Sequence, residues 1–281
     1  MKGADLHTHT TASDGTCPPA ENVRLAREAG LAAVAVTDHD TVAGLSEAIE
    51  AGERYGVEVV PGVEISTAAE GKDIHVLGYY IDHRDPRFLS RLASLRQVRQ
   101  RRNEAMVARL NELGIDVTME EILAQAKGRD EAGSLGRPHI AEALVRKGIV
   151  PDVREAFRRF LGEGKPAYVQ PQRISPEEAF AWIHEAGGTA IIAHPGLYGR
   201  DDLVCRLLEH ADGLEAYHSD HAPEEEERYR RMAEEAGKLV TGGSDFHGER
   251  GGRVFHGPIG NRTVDIAVVD ALRRRASRPP R

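Results

Sequence analysis

The stretch Ala32-Ala33-Val34-Ala35-Val36-Thr37-Asp38-His39-Asp40 joins an apolar run to a histidine that lies between two carboxylates. Unbroken apolar runs of this length are typical of parallel strands that are buried on both faces. The polar residues then follow where the strand ends, the position that carries the active site in α/β barrels. This stretch predicts an α/β protein with a polar site at the carboxyl ends of its strands.

Further short apolar runs alternate with amphipathic helical stretches along the chain. The predicted strands are Ala4–His7, Ala32–Thr37, Glu58–Ile65, Asp73–Tyr80, Thr189–Ala193, Gly213–His218 and Lys238–Gly242. The helices between them, such as the one that Pro18-Pro19 opens and Gly30 closes, favour parallel strands covered on both faces. This pattern predicts either a barrel or a doubly wound sheet.

Residues 80–189 break the alternation, because they contain helical patterns but no convincing buried strand. Apolar residues recur at a helical period between Phe88 and Leu113, and Gly114 ends the pattern. Further helices are predicted at about 119–126, 138–147 and 153–161. We therefore expect a helical subdomain at residues 85–173, inserted between the barrel segments 1–84 and 174–281.

The composition excludes several classes of protein. The chain has 281 residues, 40% of them hydrophobic and 29% charged, with a formal net charge of -8. Proteins that coat nucleic acid without sequence preference are basic, which this chain is not. Cys17 and Cys205 are too few for a disulfide framework or a cysteine-based zinc module. Without a signal-peptide core or a membrane-length apolar run, a cytoplasmic protein with no membrane partner is expected, and no stable protein partner can be inferred.

Histidines and carboxylates concentrate at or near the predicted strand ends. His7 and His9 end the first strand on one face, because alternate residues of a strand point the same way. Taken singly, each such residue also fits a structural role, such as a buried histidine bonded to a carbonyl group. The candidate metal ligands are His7, His9, Asp14, His39, Glu64, His75, His194, Asp245 and His247. Nitrogen and oxygen donors in this number suit two or three divalent ions, with Mn²⁺ expected first and Zn²⁺ or Fe²⁺ as alternatives.

These motifs resemble, in order, those of the polymerase and histidinol phosphatase (PHP) family. The matching segments are Asp5-x-His7-x-His9, Thr37-Asp38-His39-Asp40, Gly62-x-Glu64, His75, His194-Pro195 and Ser244-Asp245-x-His247. The resemblance implies a distorted seven-stranded, TIM-like (β/α) barrel.

The resemblance also implies how the ions are shared. One ion is expected on His7, His9, Glu64 and Asp245, a second on Asp14, His39 and His247, and a third on His75 and His194 with Glu64 bridging. Many family members have histidine where this chain has Asp14, so a harder oxygen ligand is expected to alter metal preference or affinity here. A metal-bridging hydroxide would then attack phosphorus, with Asp14, His39, Glu64, Asp245 and His247 as the catalytic set.

The insert narrows the resemblance to stand-alone PHP phosphoesterases with an inserted domain. The matching segments are Leu135-Gly136-Arg137-Pro138-His139-Ile140-Ala141, Phe160-Leu161 and Gly164-Lys165-Pro166-Ala167-Tyr168-Val169. Members of this group remove the 3'-phosphate of nucleoside 3',5'-bisphosphates, and some trim RNA from its 5' end. The resemblance thus implies a phosphorylated small molecule or a short oligonucleotide as substrate.

Arg137 is the first candidate for substrate contact. A guanidinium group binds phosphate with two hydrogen bonds, and the helix that Pro138 begins offers an N-terminus that favours anions. His139, His218 and His221 are further substrate-binding candidates. The remaining histidines are interpreted as structural, and the arginines of the first insert helix as a solvated face. These residues are His83, His184, His210 and His256, and Arg91, Arg96, Arg99, Arg101 and Arg102.

Three alternatives to a nucleotide phosphatase remain. The first is a 5'-to-3' exonuclease on short RNA that uses the same metals. The second is a catalytically silent PHP scaffold, which the complete ligand set counts against. The third is a related amidohydrolase that attacks C–N bonds, which usually needs a lysine ligand on a central strand, where Lys72 is poorly placed.

Overall fold

The computed structural model describes residues 3–124, 134–170 and 172–276 of the chain. The strands are β1 (Gly3–Asp5), β2 (Ala33–Val36), β3 (Glu58–Ala69), β4 (Lys72–Tyr79), β5 (Thr189–Ile192), β6 (Gly213–His218), β7 (Leu239–Gly243), β8 (Glu249–Arg250), β9 (Arg253–Val254) and β10 (Val264–Asp265). The helices are α1 (Pro19–Glu28), α2 (Leu45–Tyr55), α3 (Pro86–Glu112), α4 (Met119–Leu123), α5 (Arg137–Arg146), α6 (Val153–Ala156), α7 (Pro176–Glu185), α8 (Asp201–Leu208), α9 (Pro223–Glu235) and α10 (Ile266–Ala276). A π-helical turn, Phe157–Leu161, continues α6, and a 3₁₀ turn, Pro195–Tyr198, follows β5.

The barrel predicted from the sequence is confirmed, and each of the seven predicted strands is present. In the described part of the chain the main sheet has the order β10-β1-β2-β3-β4-β5-β6-β7. The amide of Leu6 donates to the carbonyl of Gly242 over 3.1 Å, which brings the chain after β1 against β7 and nearly closes the barrel. The described residues add β10, which pairs antiparallel with β1 at the outer edge of the main sheet, and a separate hairpin of β8 and β9.

The expectation that all seven strands run parallel is wrong for β4. This strand pairs antiparallel with both β3 and β5, whereas the other neighbouring pairs of β1 to β7 are parallel. The cause is the two-residue turn Glu70-Gly71, whose φ angles of 50° and 79° are those of a type I′ hairpin. Because β4 is reversed, its first residues lie at the same end of the barrel as the last residues of its neighbours.

The sheet has one apolar layer inside the barrel and another between its outer face and the helices. Ala33 and Ala35 of β2 point into the barrel, where small residues leave room for Leu77 and Tyr79. The alternate residues Val34 and Val36 pack outwards against the helices. The inner core also includes Val269 and Leu272 of α10, which pack against it from the C-terminal helix.

The inserted segment has a third core, built from apolar residues of α3, α4, α5 and α6. The 27-residue helix α3 serves two cores, since Phe88, Leu92 and Leu95 pack on the barrel while Met106 and Leu110 pack within the insert. The helix predicted at about 119–126 is present as α4 over Met119–Leu123. Residues 125–126 lie outside the described residues. The same holds for residues 1–2 and 277–281 of the predicted barrel segments.

None of the helices formed by the described residues has both the length and the apolar character that a membrane span requires.

Candidate metal centre

The polar residues that follow the strands meet at one opening of the barrel. Isolated bridges between Thr8 and Phe246, and between His39 and Glu64, extend the parallel pairing past the ends of β1 and β2. Eight of the nine predicted ligands are buried, and His75 has a partly exposed side chain. We use the name metal centre for these nine predicted ligands, which are His7, His9, Asp14, His39, Glu64, His75, His194, Asp245 and His247.

The carboxylate of Glu64 contacts five histidines of the metal centre. Its Oε2 lies 3.4, 3.1 and 3.0 Å from ring nitrogens of His7, His9 and His39, and its Oε1 lies 2.7 and 3.0 Å from those of His75 and His194. Burial alone would raise the pKa of Glu64, but the histidines around it hold that pKa well below its usual range. One ionised carboxylate therefore joins ligands that come from four other strand ends.

Asp245 closes the same group of ligands from the end of β7. Its Oδ1 lies 3.3 Å from Nε2 of His7 and 3.2 Å from Nε2 of His9. Asp245 has a left-handed backbone with φ of 53°, and His194 and Asp40 also have positive φ. Such strain in residues other than glycine is concentrated at functional sites, where it aims a side chain.

A second group forms around Asp14, in the loop after β1. Ligand atoms of His9, Asp14, His39 and His247 all lie within 4.8 Å of one another. The shortest contact of Asp14 within this group joins its Oδ1 to Nε2 of His247 over 3.2 Å. Since His9 and His39 also contact Glu64, this group is continuous with the first one.

The donor atoms fit divalent cations. Oδ1 of Asp245 and Nδ1 of His39 are buried without a hydrogen-bond partner among the described residues, although other ligand atoms lie 3.0–3.3 Å away. Two ligand atoms that each lie about 2.1 Å from one ion are themselves about 3 to 3.5 Å apart. Burial lowers the pKa of His39 and His194 to about 4, so both rings are neutral near pH 7, as a metal ligand must be.

Glu215, a buried carboxylate within β6, was not among the predicted site residues. Its Oε1 lies 3.0 Å from Nδ1 of His7, and its Oε2 accepts the amide of His194 over 2.9 Å. It therefore fixes the ring of His7 with Nε2 facing the metal centre. A signal was present, because a glutamate inside the apolar strand sequence Gly213–Tyr217 needs a buried partner.

Two further buried aspartates position the loops that carry ligands. Asp5 accepts the amides of Ser244 and Gly260 over 2.9 and 2.8 Å, which fixes the chain next to Asp245, and burial raises the pKa of Asp5 to about 6. Asp38 accepts hydrogen bonds from Thr10 and from Ser13, the residue before Asp14.

The four predicted substrate contacts have different surroundings. His218 lies against the metal centre, with Nε2 3.2 Å from Oδ2 of Asp245. His221 is bonded to backbone at both ring nitrogens, to the carbonyl of Ala216 and the amide of Gly196. That arrangement positions two loops and leaves the His221 ring no free nitrogen for a substrate.

The other two candidates lie at the start of α5. His139 is buried, and its Nδ1 is 3.1 Å from the amide of Gly136, which caps the helix. The side chain of Arg137 is 23% exposed, and its Nη2 lies 3.5 Å from Oδ2 of Asp73 on β4. Its guanidinium also lies over the rings of Phe157 and Tyr168. Arg137 therefore faces both the barrel and solvent.

Two interpretations of surface residues are corrected by the structure. His256, taken as structural, lies with Nε2 3.6 Å from Oδ2 of Asp245 at the edge of the metal centre. Arg99 and Arg102, taken as part of a solvated helix face, are 8% and 4% exposed. Spacing along α3 gave no sign of this burial, because it depends on how the insert packs on the barrel.

Comparison with known proteins identifies related chains over almost the full length. A model of the PHP domain matches residues 5–241. The chain is 36% identical over 264 residues to the 3',5'-nucleoside bisphosphate phosphatase of Chromobacterium violaceum, a match that covers 91% of this chain and 92% of that one. It is also 36% identical to the 5'-3' exoribonuclease Rnm of Escherichia coli, over 86% of this chain and 84% of the relative. A solved structure from Bifidobacterium adolescentis, assigned as a metal-dependent phosphoesterase, superposes with a TM-score of 0.89 at 35% identity and covers 97% and 96% of the two chains.

Proposed function

The chain belongs to the PHP family of metal-dependent phosphoesterases, and we propose that it removes the 3'-phosphate of a nucleoside 3',5'-bisphosphate. It is a hydrolase of phosphoester bonds. The observation that carries the substrate proposal is the full-length similarity to a 3',5'-nucleoside bisphosphate phosphatase, in a chain with nine donor residues at one barrel opening.

We further propose that the metal centre holds two or three Mn²⁺ ions. His7, His9, Glu64 and Asp245 would hold one ion, and Asp14, His39 and His247 a second. A third position would use His75, His194 and Glu64. The carboxylate donors suit Mn²⁺, and the imidazole donors keep Zn²⁺ and Fe²⁺ as alternatives. When bound, such ions supply Lewis-acid stabilisation of phosphoryl oxygens and a water of lowered pKa.

The chain's own residues then have separate tasks. Glu64 and Asp245 keep ionised oxygens at the centre of the opening, where they orient the histidine donors. Glu215 holds the proton on Nδ1 of His7, which leaves Nε2 free to bind. Arg137 would orient a phosphate group of the substrate from the edge of the insert. We propose that the insert, residues 85–173, caps the opening above the bound nucleotide.

The alternative substrate is a short RNA that is shortened from its 5' end. The similarity to an exoribonuclease is as high, at 36% identity, as that to the phosphatase, which supports this alternative. The same donors serve both reactions, and the two differ in the leaving group. A silent scaffold is disfavoured, since each of the nine donors is retained at the opening.

The test offers the Mn²⁺-loaded protein four substrates: a nucleoside 3',5'-bisphosphate, a nucleoside monophosphate, histidinol phosphate and a short 5'-phosphorylated RNA. Fastest phosphate release from the bisphosphate supports the proposal. Faster release of nucleotides from RNA than of phosphate from the bisphosphate supports the exonuclease alternative instead. No release from any substrate by metal-loaded protein contradicts both.

Asp245→Asn tests the ligand assignment. We expect a loss of at least about a hundredfold in kcat/KM together with loss of bound metal, because a carboxylate donor disappears from the metal centre. Metal content and phosphate release are measured side by side. Asp270→Asn, an exposed change on α10, is the matched control and should leave both unchanged. Full activity in Asp245→Asn would remove this residue from the site.

A further inference from the structure

A short hairpin lies between the insert and the metal centre. It is formed by β8 and β9, and it follows His247 of the metal centre in the chain. Both residues of its turn, Gly251 and Gly252, have positive φ angles, of 58° and 77°, as a type I′ turn requires. The amide of Phe255 donates to the carbonyl of Gly248 over 3.1 Å and closes the base of the hairpin. The hairpin is therefore a defined structure directly beside a predicted metal ligand.

Arg250 of β8 joins this hairpin to the insert. Its Nε donates to Oε1 of Glu142 on α5, and its Cζ lies 5.5 Å from the centre of the Phe255 ring. Phe255 in turn packs against the core of the insert. The side chains of Arg250 and Glu142 are 7% and 26% exposed, so most of this ion pair is removed from water. Such a pair holds two elements in one arrangement, because breaking it leaves a charge in the protein without its partner.

The same guanidinium group bonds the loop that carries Asp14. Nη2 of Arg250 donates to the backbone carbonyl of Asp14. Since that carbonyl belongs to the peptide unit between Asp14 and Gly15, the hydrogen bond fixes the backbone from which the Asp14 carboxylate projects. Nη1 of Arg250 is buried without a hydrogen-bond partner among the described residues. Burial of an unpaired donor costs free energy, so the contacts that Arg250 does make must outweigh this cost.

The insert also approaches this loop directly. The amide of Ser134 donates to the carbonyl of Ala12 over 2.9 Å, and a Cβ built on Gly136 would lie 3.1 Å from Oδ2 of Asp14. Ser134 and Gly136 come just before α5, the helix that carries Glu142. The position of the Asp14 carboxylate therefore depends on how α5 lies against the barrel.

We propose that Arg250 is a positioning residue that couples the insert to the metal centre: it holds Asp14 in place for the second ion, with Glu142 as its anchor on α5. The inference rests on the metal centre proposed above, because it concerns one ion position within it. Residues that orient metal ligands typically change metal affinity by about ten- to a hundredfold. By linkage, binding of the second ion must stabilise the docked insert by the same free energy that docking adds to the binding.

Titration of the EDTA-treated full chain with Mn²⁺, in competition with a fluorescent chelator, tests the positioning role. We expect Arg250→Met to weaken one Mn²⁺ site by about tenfold and to leave the other sites unchanged. Arg250→Lys, which keeps the charge but has fewer donors in a fixed geometry, should recover part of the affinity. Arg253→Met, an exposed change on the same hairpin, is the matched control and should bind Mn²⁺ as the unmodified chain does. Equal Mn²⁺ binding by a folded Arg250→Met variant and the unmodified chain overturns the proposal.

A double variant identifies the ion position on which Arg250 acts. Asp14→Asn removes a donor of the second ion, so adding Arg250→Met to it should cause no further loss of Mn²⁺ affinity. Losses that add in the double variant would show that Arg250 acts at another position, and they overturn the assignment to Asp14.

Glu142→Gln tests the anchor on the insert. It should weaken the same Mn²⁺ site, although less than Arg250→Met does, because the amide oxygen still accepts a hydrogen bond from Nε. Glu112→Gln, an exposed change on α3, is its matched control. Unchanged Mn²⁺ binding by Glu142→Gln would separate the insert from the metal centre and overturn the coupling.

Hydrogen exchange of α5 measures the same coupling from the side of the insert, without turnover. Mn²⁺ should slow the exchange of the amides of Arg137–Arg146 in the unmodified chain, and slow it less in Arg250→Met and Glu142→Gln. Equal slowing in the three chains would contradict the coupling.

Failure of this proposal is distinguishable from failure of the proposed function. A chain that binds no Mn²⁺ contradicts the metal centre itself. A chain that binds Mn²⁺ but hydrolyses none of the four substrates contradicts the proposed function, while the Mn²⁺ titrations still decide the role of Arg250. If Arg250→Met lowers the melting temperature equally with EDTA and with Mn²⁺, and retains its Mn²⁺ affinity, Arg250 stabilises the fold alone and the proposal is wrong.

Discussion

A sequence motif does not tell whether a histidine near the barrel opening binds a cation or supports a loop. Glu64 contacts five imidazole rings, whereas His221, close to the same opening, has both ring nitrogens bonded to backbone. The difference arises from the atoms that face each ring. A buried histidine with both ring nitrogens bonded to backbone supports a loop, and one whose ring nitrogen faces a carboxylate shared with other histidines is placed to bind a cation.

Glu215→Gln is predicted to weaken metal binding by about ten- to a hundredfold without unfolding the protein. The carboxylate at 3.0 Å from Nδ1 of His7 raises the basicity of that ring and fixes its tautomer, and an amide does both less well. Competitive titration of Mn²⁺ against a fluorescent chelator measures the change. Glu235→Gln, an exposed position on α9, controls for the loss of a charge. Equal affinity in the two variants would show that Glu215 has no part in orienting His7.

At the scale of elements, the reversed strand β4 decides which residues reach the opening. The β3–β4 hairpin pairs Ser66 with His75, so the start of β4 lies beside the later residues of β3. In a parallel strand His75 would lie at the opposite end of the barrel from Glu64. The turn Glu70-Gly71 is therefore a requirement of the site as well as of the fold.

Gly71→Ala is predicted to lower the free energy of unfolding by about 1 kcal/mol, since a residue with a Cβ is disfavoured at positive φ. A Cβ at Gly71 would meet nothing within 4 Å, so the effect belongs to the backbone alone. Gly71→Asn should cost less, because asparagine adopts the left-handed region more readily. Urea unfolding measures both variants. If the two substitutions cost the same, the positive φ of this turn is not what stabilises it.

At the scale of the whole molecule, the metal centre joins strand ends that are far apart in the sequence. Donors from positions 7 to 247 meet at one opening, so bound ions would act as cross-links around the barrel. An ion that binds the folded chain alone stabilises it by mass action.

Removal of metal with EDTA is therefore predicted to lower the melting temperature, and Mn²⁺ at about a hundred times its Kd to raise it by roughly 5–10 °C. Mg²⁺ should raise it less, because most of the donors are imidazole nitrogens. Differential scanning calorimetry of the EDTA-treated protein with each ion measures the shifts. A melting temperature that does not respond to Mn²⁺, with the ion shown to bind, would contradict this cross-linking role.

Asp212 ties three elements together near the other end of the barrel. Its carboxylate accepts the amide of Ala190 over 2.9 Å and lies 2.7 Å from both His184 and Arg275. Burial by itself would raise the pKa of Asp212, but these partners lower it.

Asp212→Asn is predicted to cost about 2 kcal/mol of unfolding free energy at pH 7. A carboxyl group with a depressed pKa in the folded state contributes stability above its unfolded pKa of about 3.9, and this contribution is lost as the pH falls through the folded value. The difference between the variant and the unmodified chain should thus shrink below about pH 4, where the Asp212 carboxylate itself becomes protonated. Denaturant unfolding at several pH values measures it. A difference that persists unchanged well below pH 4 would contradict the assignment.

The sequence by itself determined the seven strands of the barrel, and it predicts the helical insert and the nine donor residues. The patterns that predict these features are local: apolar runs, apolar residues at helical spacing, and polar residues directly after a strand. Each depends on which side chains of one segment are buried. Only the tertiary structure decided the direction of β4, the part that Glu215 plays and the burial of Arg99 and Arg102. Each of these depends on which side chains face one another across segments far apart in the chain, and no local pattern specifies that.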